Sequence, residues 1–139
     1  MTEDPRDILR RTLYIDQDIQ RLQAEQRQLE DRLTCLQGFD YSKPVVQGSG
    51  NRGSLETLAA EAADLQDRIA RRITALIQAK REAFRIICLL PAGPERSVME
   101  ERYILLRDWR SAAEDLGYSY RHVIRLHGEA IKHLRERCP

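Results

Sequence analysis

Long apolar runs are missing from this chain. Nothing in its 139 residues approaches the stretch of about 18 consecutive apolar residues that a membrane-crossing helix needs. Aromatic residues are scarce, at 6%. A β-sandwich or barrel would need many of them, alongside Val, Ile and Thr, with turn signals at short intervals. Net charge is also nearly absent, with 23 Lys and Arg against 22 Asp and Glu. The three cysteines, Cys35, Cys88 and Cys138, form an odd, widely spaced set without a CxxC pair. They fit a reducing cytoplasm better than a disulfide framework and offer no zinc motif. The start, Met-Thr-Glu-Asp-Pro, is acidic and lacks an apolar stretch, so no signal peptide is expected.

What is present is helical composition. The chain holds 13 Ala, 12 Glu, 3 Lys, 17 Leu and 20 Arg, close to half of its length. Glycine and proline are absent from 6–37 and from 54–90. Between these stretches, residues 38–53 carry four glycines and Pro44 and are expected to form a loop. The first stretch has a seven-residue rhythm: Ile8, Ile15, Leu22, Leu29 and Leu36, with Thr12, Ile19, Gln26 and Leu33 four residues on. That is the seam of a coiled coil. The second offers Ser54 as an N-cap, Glu56 in its first turn, and a broad apolar face. That face runs through Leu55, Leu58, Ala62, Leu65, Ile69, Ile73, Leu76, Phe84, Ile87 and Leu90. Neither stripe can be buried by its own helix, so the two are expected to pair with each other, with a second copy, or both.

Residues 95–139 change character. Pro94 can open a helix, with Val98, Met99, Tyr103 and Leu106 facing inward. Asp108 can cap a short helix carrying Trp109, Ala112, Ala113 and Leu116. Gly117 then allows a left-handed turn, and Ser119 can cap a last helix with Val123, Leu126, Ala130 and Leu134 inward. A small residue where two helices meet steeply, a glycine turn and apolar locking positions are what a helix-turn-helix requires. The expected fold is therefore all-α, a long N-terminal antiparallel helical hairpin over 1–90 followed by a three-helix helix-turn-helix unit over 95–139.

Charge placement points to double-stranded DNA. Residues 1–90 balance 14 basic against 14 acidic side chains, and 91–118 hold 4 against 6. Residues 119–139 hold 5 against 2, together with all three histidines. A local positive field attracts phosphate even on a neutral chain. With Val123, Leu126 and Ala130 inward, the outward positions are Ser119, Tyr120, Arg121, His122, Ile124, Arg125, Gly128 and Lys132, the candidate DNA contacts. Arg121 and Arg125 could each reach guanine O6 and N7, and Ile124 a thymine methyl. Ser119 and Tyr120 could bind phosphate or a base edge, and His122 and His127 could contact the DNA backbone. Lys132, Arg135 and Arg137 could act on phosphate or equally complement the helix dipole.

The runs Glu101-Arg-Tyr-Ile-Leu-Leu-Arg-Asp-Trp109, Ala112-Ala-Glu-Asp-Leu-Gly-Tyr-Ser119 and Tyr120-Arg-His-Val-Ile-Arg-Leu-His-Gly-Glu-Ala-Ile131 carry a resemblance. Over residues 95–134 the chain resembles small phage and prophage proteins whose C-terminal helix-turn-helix is like region 4 of bacterial sigma factors. It is similar there to late-transcription regulators of the ArpU and RinA type. The resemblance implies a sequence-specific transcription regulator in the cytoplasm of a bacterial host, with RNA polymerase as a candidate partner. Nothing in 1–90 resembles a core-promoter recognition region, so an independent sigma factor is not expected.

Other chemistry finds little support. Gly48-Ser-Gly-Asn-Arg-Gly53 has no lysine after it and no strand before it, so a linker is expected rather than a phosphate loop. The histidines, spaced by five and six residues, do not share a helical face as metal ligands would. Neither an enzyme nor a cofactor is expected. Two alternatives compete with a dimeric regulator. A DNA-packaging component resembling a small terminase subunit would form a ring larger than a dimer. A coiled-coil adaptor would show no salt-dependent retention on DNA.

Overall fold

The computed structural model describes residues 3–37 and 48–138, all of whose regular elements are helical. Helix α1 spans Pro5–Gln37 and α2 Gly48–Ile87; α3 spans Pro94–Met99 and runs into a π-helical turn, Glu100–Ile104; α4 spans Trp109–Leu116 and α5 Tyr120–Arg137. No described helix is long and apolar enough to cross a membrane. Cys35, Cys88 and Cys138 are free thiols.

The starts of these helices follow from local chemistry. Asp4 accepts from the Arg6 N–H (3.0 Å) ahead of Pro5, whose fixed φ suits a first helical position. Pro94 opens α3 as its sequence position suggests. Asp108 caps α4 by accepting from the Ser111 N–H at 2.8 Å. Ser119 caps α5 by accepting from the His122 N–H at 3.1 Å. Ser119→Ala is expected to cost about 1 kcal/mol, read as a lower urea midpoint with an unchanged slope.

Two expectations at the head of α2 are corrected. The helix begins at Gly48, so the expected loop 38–53 is shorter at its end, and its residues 38–47 lie outside the described residues. Ser54 therefore sits inside the helix rather than capping it, and Glu56 is not in the first turn. No proline interrupts 45–90, and a long helix extends over glycine for only about 1 kcal/mol per residue. The Thr57 hydroxyl donates to the Gly53 carbonyl (2.8 Å), one helical turn back.

The packing divides the chain into two compact units, Met1–Gln17 with Thr74–Pro139, and Asp18–Ile73. This differs from the expected boundary between residues 90 and 95. The C-terminal helices bury one apolar cluster among themselves, and a second is completed only by residues from outside 95–139. In the first unit Leu9, Ala83, Ile87 and Leu90 complete the latter, clustering with Met99, Tyr103, Ala130, Ile131 and Leu134. The former joins Val98, Ala113, Val123 and Leu126, with Trp109, Leu116 and Tyr118 against it. Leu9, absent from the heptad reading, is fully buried while Ile8 is half-buried. Thr12 is buried with its hydroxyl satisfied by the Leu9 carbonyl (2.9 Å).

Within Asp18–Ile73, only Ile19, Leu65 and Ile69 are buried apolar side chains among the described residues. Ile73 and, in the first unit, Phe84 were expected on the inward face of α2 but are exposed. Small Ala79 and Ala83 occupy inward positions near Phe84 instead. At Ile73 the neighbouring Arg72 takes the seam, its guanidinium 2.6 Å from the Asp18 carboxylate.

Candidate functional site

The candidate site is the outer stripe of α5 and the turn that aims it. Gly117 adopts φ 72°, a left-handed conformation that disfavours any residue with a Cβ. Through it the Tyr118 N–H reaches the Ala113 carbonyl (2.9 Å) and the Gly117 N–H the Glu114 carbonyl (3.2 Å), closing α4 in a Schellman motif. Two residues later Ser119 starts α5. Buried Ala113 lets α4 approach α5 closely, and Val123, Leu126, Ala130 and Leu134 hold the back of α5, as their spacing suggests.

Outward, Arg121, Ile124, Arg125, Gly128 and Lys132 recur at helical spacing on one exposed stripe, with exposed Ser119 and Tyr120 at its head. Among the eight candidate contacts only His122 is half-buried. Its ring meets Tyr118 edge to face, with centroids 5.0 Å apart, and its Nδ1 lies 2.9 Å from Arg125 Nη2. Arg125 can only donate, so Nδ1 is the acceptor in this bond. That bond steadies a guanidinium which otherwise projects into solvent.

The remaining basic residues of α5 behave differently. Arg135 pairs with Asp4 at 3.2 Å, and Arg137 donates to the Leu89 carbonyl at 2.8 Å. His133 meets Glu95 at 2.8 Å. These side chains tie the end of α5 to its neighbours, so of the five basic residues Arg121, Arg125 and Lys132 are the ones that form the outward stripe. The Arg6 N–H bond, and next the Arg135 guanidinium, hold the Asp4 carboxyl below its usual range.

His127, read as a possible backbone contact, turns inward. Its Nε2 lies 2.6 Å from the Tyr103 hydroxyl, and its ring stands edge-on to Trp109 at 4.7 Å. The Arg102 guanidinium covers the Trp109 ring at 4.7 Å. Burial, followed by the fields of Arg6, Arg102 and Arg10, pushes the His127 pKa down to about 4. Burial likewise raises the Tyr103 phenol. The ring is therefore neutral at physiological pH, and its Nε2 can accept a hydrogen bond from the Tyr103 hydroxyl. Sequence reading missed this cluster, although position 127, four after Val123 and three before Ala130, flanks the inward face.

Ahead of α4 the backbone departs from regular helix. After the π-turn the Arg107 N–H reaches the Glu101 carbonyl (3.0 Å) while Leu106 takes a left-handed φ of 59°. Leu106 therefore lies in this turn and not on the inward face of a helix, correcting its expected place. The Glu101 carboxyl is raised, chiefly by burial and then by its bond to Asp115, which is itself 3.4 Å from Arg107.

Gly128 has no internal justification. A Cβ built there would meet nothing within 4 Å, and its backbone is helical. Gly128→Ala is expected to raise stability by about 0.5–1 kcal/mol, measured as a higher urea midpoint. Comparison with known proteins returned no matching family model, no similar curated protein and no similar solved structure.

Proposed function

We propose that the protein is a sequence-specific DNA-binding protein, a phage-encoded transcription regulator that reads the major groove with α5. In this reading α3, α4 and α5 form a helix-turn-helix, and α1 and α2 form the antiparallel hairpin that carries it. One observation carries the proposal: Arg121, Arg125 and Lys132 share an exposed stripe while the opposite side of the same helix is anchored in the core. The assignment to phage transcription rests on the resemblance over residues 95–134.

Roles follow from reach and chemistry. Arg121 and Arg125 each present a planar fork that matches guanine O6 and N7. Ile124, 38% exposed between them, fits a thymine methyl. Ser119, Tyr120 and His122 lie at the positive end of α5, where phosphate or a base edge would be received. Gly128 lets the helix backbone approach the duplex without a side chain in the way, which explains a mid-helix glycine with open space around it. Gly128→Ala is then expected to stabilise the fold and weaken DNA binding together. Lys132 supplies a phosphate contact independent of sequence.

Fluorescence anisotropy on duplexes selected from phage and bacterial genomic fragments tests this reading. Lys132→Ala is expected to weaken selected and scrambled duplexes alike and to reduce the slope of log affinity against log salt by about 1. Equal affinity of the wild type for selected and scrambled duplexes at physiological salt would overturn sequence-specific binding.

A further inference from the structure

We infer that the Asp18–Ile73 unit is a self-association surface, on which a second copy of this chain packs antiparallel about a two-fold axis. This inference goes beyond DNA binding and does not depend on it. Among its described residues the unit leaves apolar side chains partly open: Leu22, Leu29, Leu33 and Leu58 are only half-buried, and Ile73 is 42% exposed. A groove of about 540 Å³ opens between its helices, lined in part by Arg21, Leu22, Glu25, Arg68 and Arg71.

The charges name the occupant. Residues 18–24 and 66–73 carry four basic and two acidic side chains, whereas 25–36 and 53–65 carry two basic and six acidic. One end is positive and the other negative. On α1, Arg21 and Glu25 are symmetric about Gln23; on α2, Arg68 with Asp64 and Arg71 with Glu61 are symmetric about Gln66. Asp18 lies against Arg72. Gln23 is five residues from Asp18 and Gln66 six from Arg72, so both centres fall at one level, within about 1.5 Å.

A two-fold axis crossing the helices at that level sets each helix against its own copy, reversed. Arg21, paired with Asp18 in its own chain (2.7 Å), then also meets Glu25 of the second copy; Arg68, paired with its own Asp64 (3.4 Å), meets Asp64 of the second copy, and Arg71 meets Glu61 of the second copy. An axis along the helices would instead set Arg21 against Arg68 and Arg71, and Glu25 against Asp64 and Glu61. Like charges would oppose, so the antiparallel arrangement is selected.

Sedimentation velocity on the full chain tests this at low and high salt. The wild type is expected to be a dimer that weakens as salt rises. The triple substitution Arg21→Glu, Arg68→Glu, Arg71→Glu and, separately, Glu25→Lys, Glu61→Lys, Asp64→Lys are each expected to weaken self-association at least about tenfold. Mixed together, the two variants are expected to recover a heterodimer, which misfolded chains could not do. A monomeric wild type, a ring larger than a dimer, variants that still dimerise alone, or a mixture that stays monomeric would each overturn the inference.

Discussion

Alanine at both Arg121 and Arg125 is expected to weaken specific duplex binding by about 10²–10⁴-fold while α5 stays folded. A bidentate arginine–guanine pair contributes roughly 1–3 kcal/mol of discrimination, and the two side chains act on separate bases if each reaches one. Both are exposed, and alanine is a better helix former than arginine, so the helix loses little by the change. The internal bond at stake is Arg125 to His122, a surface contact of small worth. Anisotropy on the selected and scrambled duplexes, with circular dichroism at 222 nm as the folding control, reads both halves of the expectation. Specific affinity unchanged in the double variant would remove α5 as the reading helix. Equal losses on both duplexes would reduce the arginines to phosphate contacts.

The second large effect is acid destabilisation through His127. In the folded protein its pKa stands at about 4, against about 6.5 for an unperturbed histidine. Between those values the unfolded chain binds a proton that the folded chain refuses. Stability is therefore complete above about pH 6.5 and falls as the pH drops toward 4. The difference corresponds to a loss on the order of 3 kcal/mol across that window, an upper figure because the ring is only half-buried. Carboxylates titrate in the same range, so the measurement is a difference of differences. Urea unfolding at pH 7 and pH 4.5 is compared between the wild type and His127→Phe. The variant leaves the Tyr103 hydroxyl unpaired and starts from lower stability, but it lacks the titration. The wild type is expected to lose markedly more than the variant between the two pH values. Equal losses would show that His127 is accessible to protons in the folded state.

Much of the secondary structure was legible because its signals are local. Asp108, Gly117 and Ser119 act within three or four residues of themselves, and Val123, Leu126, Ala130 and Leu134 declare a buried side by spacing alone. The outward positions of α5 follow by subtraction, so the candidate contacts are legible in the sequence. The head of α2 was misjudged because glycine and serine weaken a helix without forbidding one. Leu106 was misplaced because a π-turn shifts the register by one residue, and no periodicity in so short a segment reveals that.

By itself the sequence determined the helical class, the capped C-terminal helices and the concentration of basic charge in the last of them. Tertiary structure alone decided that Leu9 and Ala83 belong to the core under those helices, that Arg135 and Arg137 are tethered, and that His127 is neutral and turned inward. The physical reason is range. Caps, turns and helical periodicity depend on residues a few positions apart. Burial, ion pairing and a displaced pKa depend on which distant segments meet, and Asp4 with Arg135 or Tyr103 with His127 become neighbours only when the chain has packed.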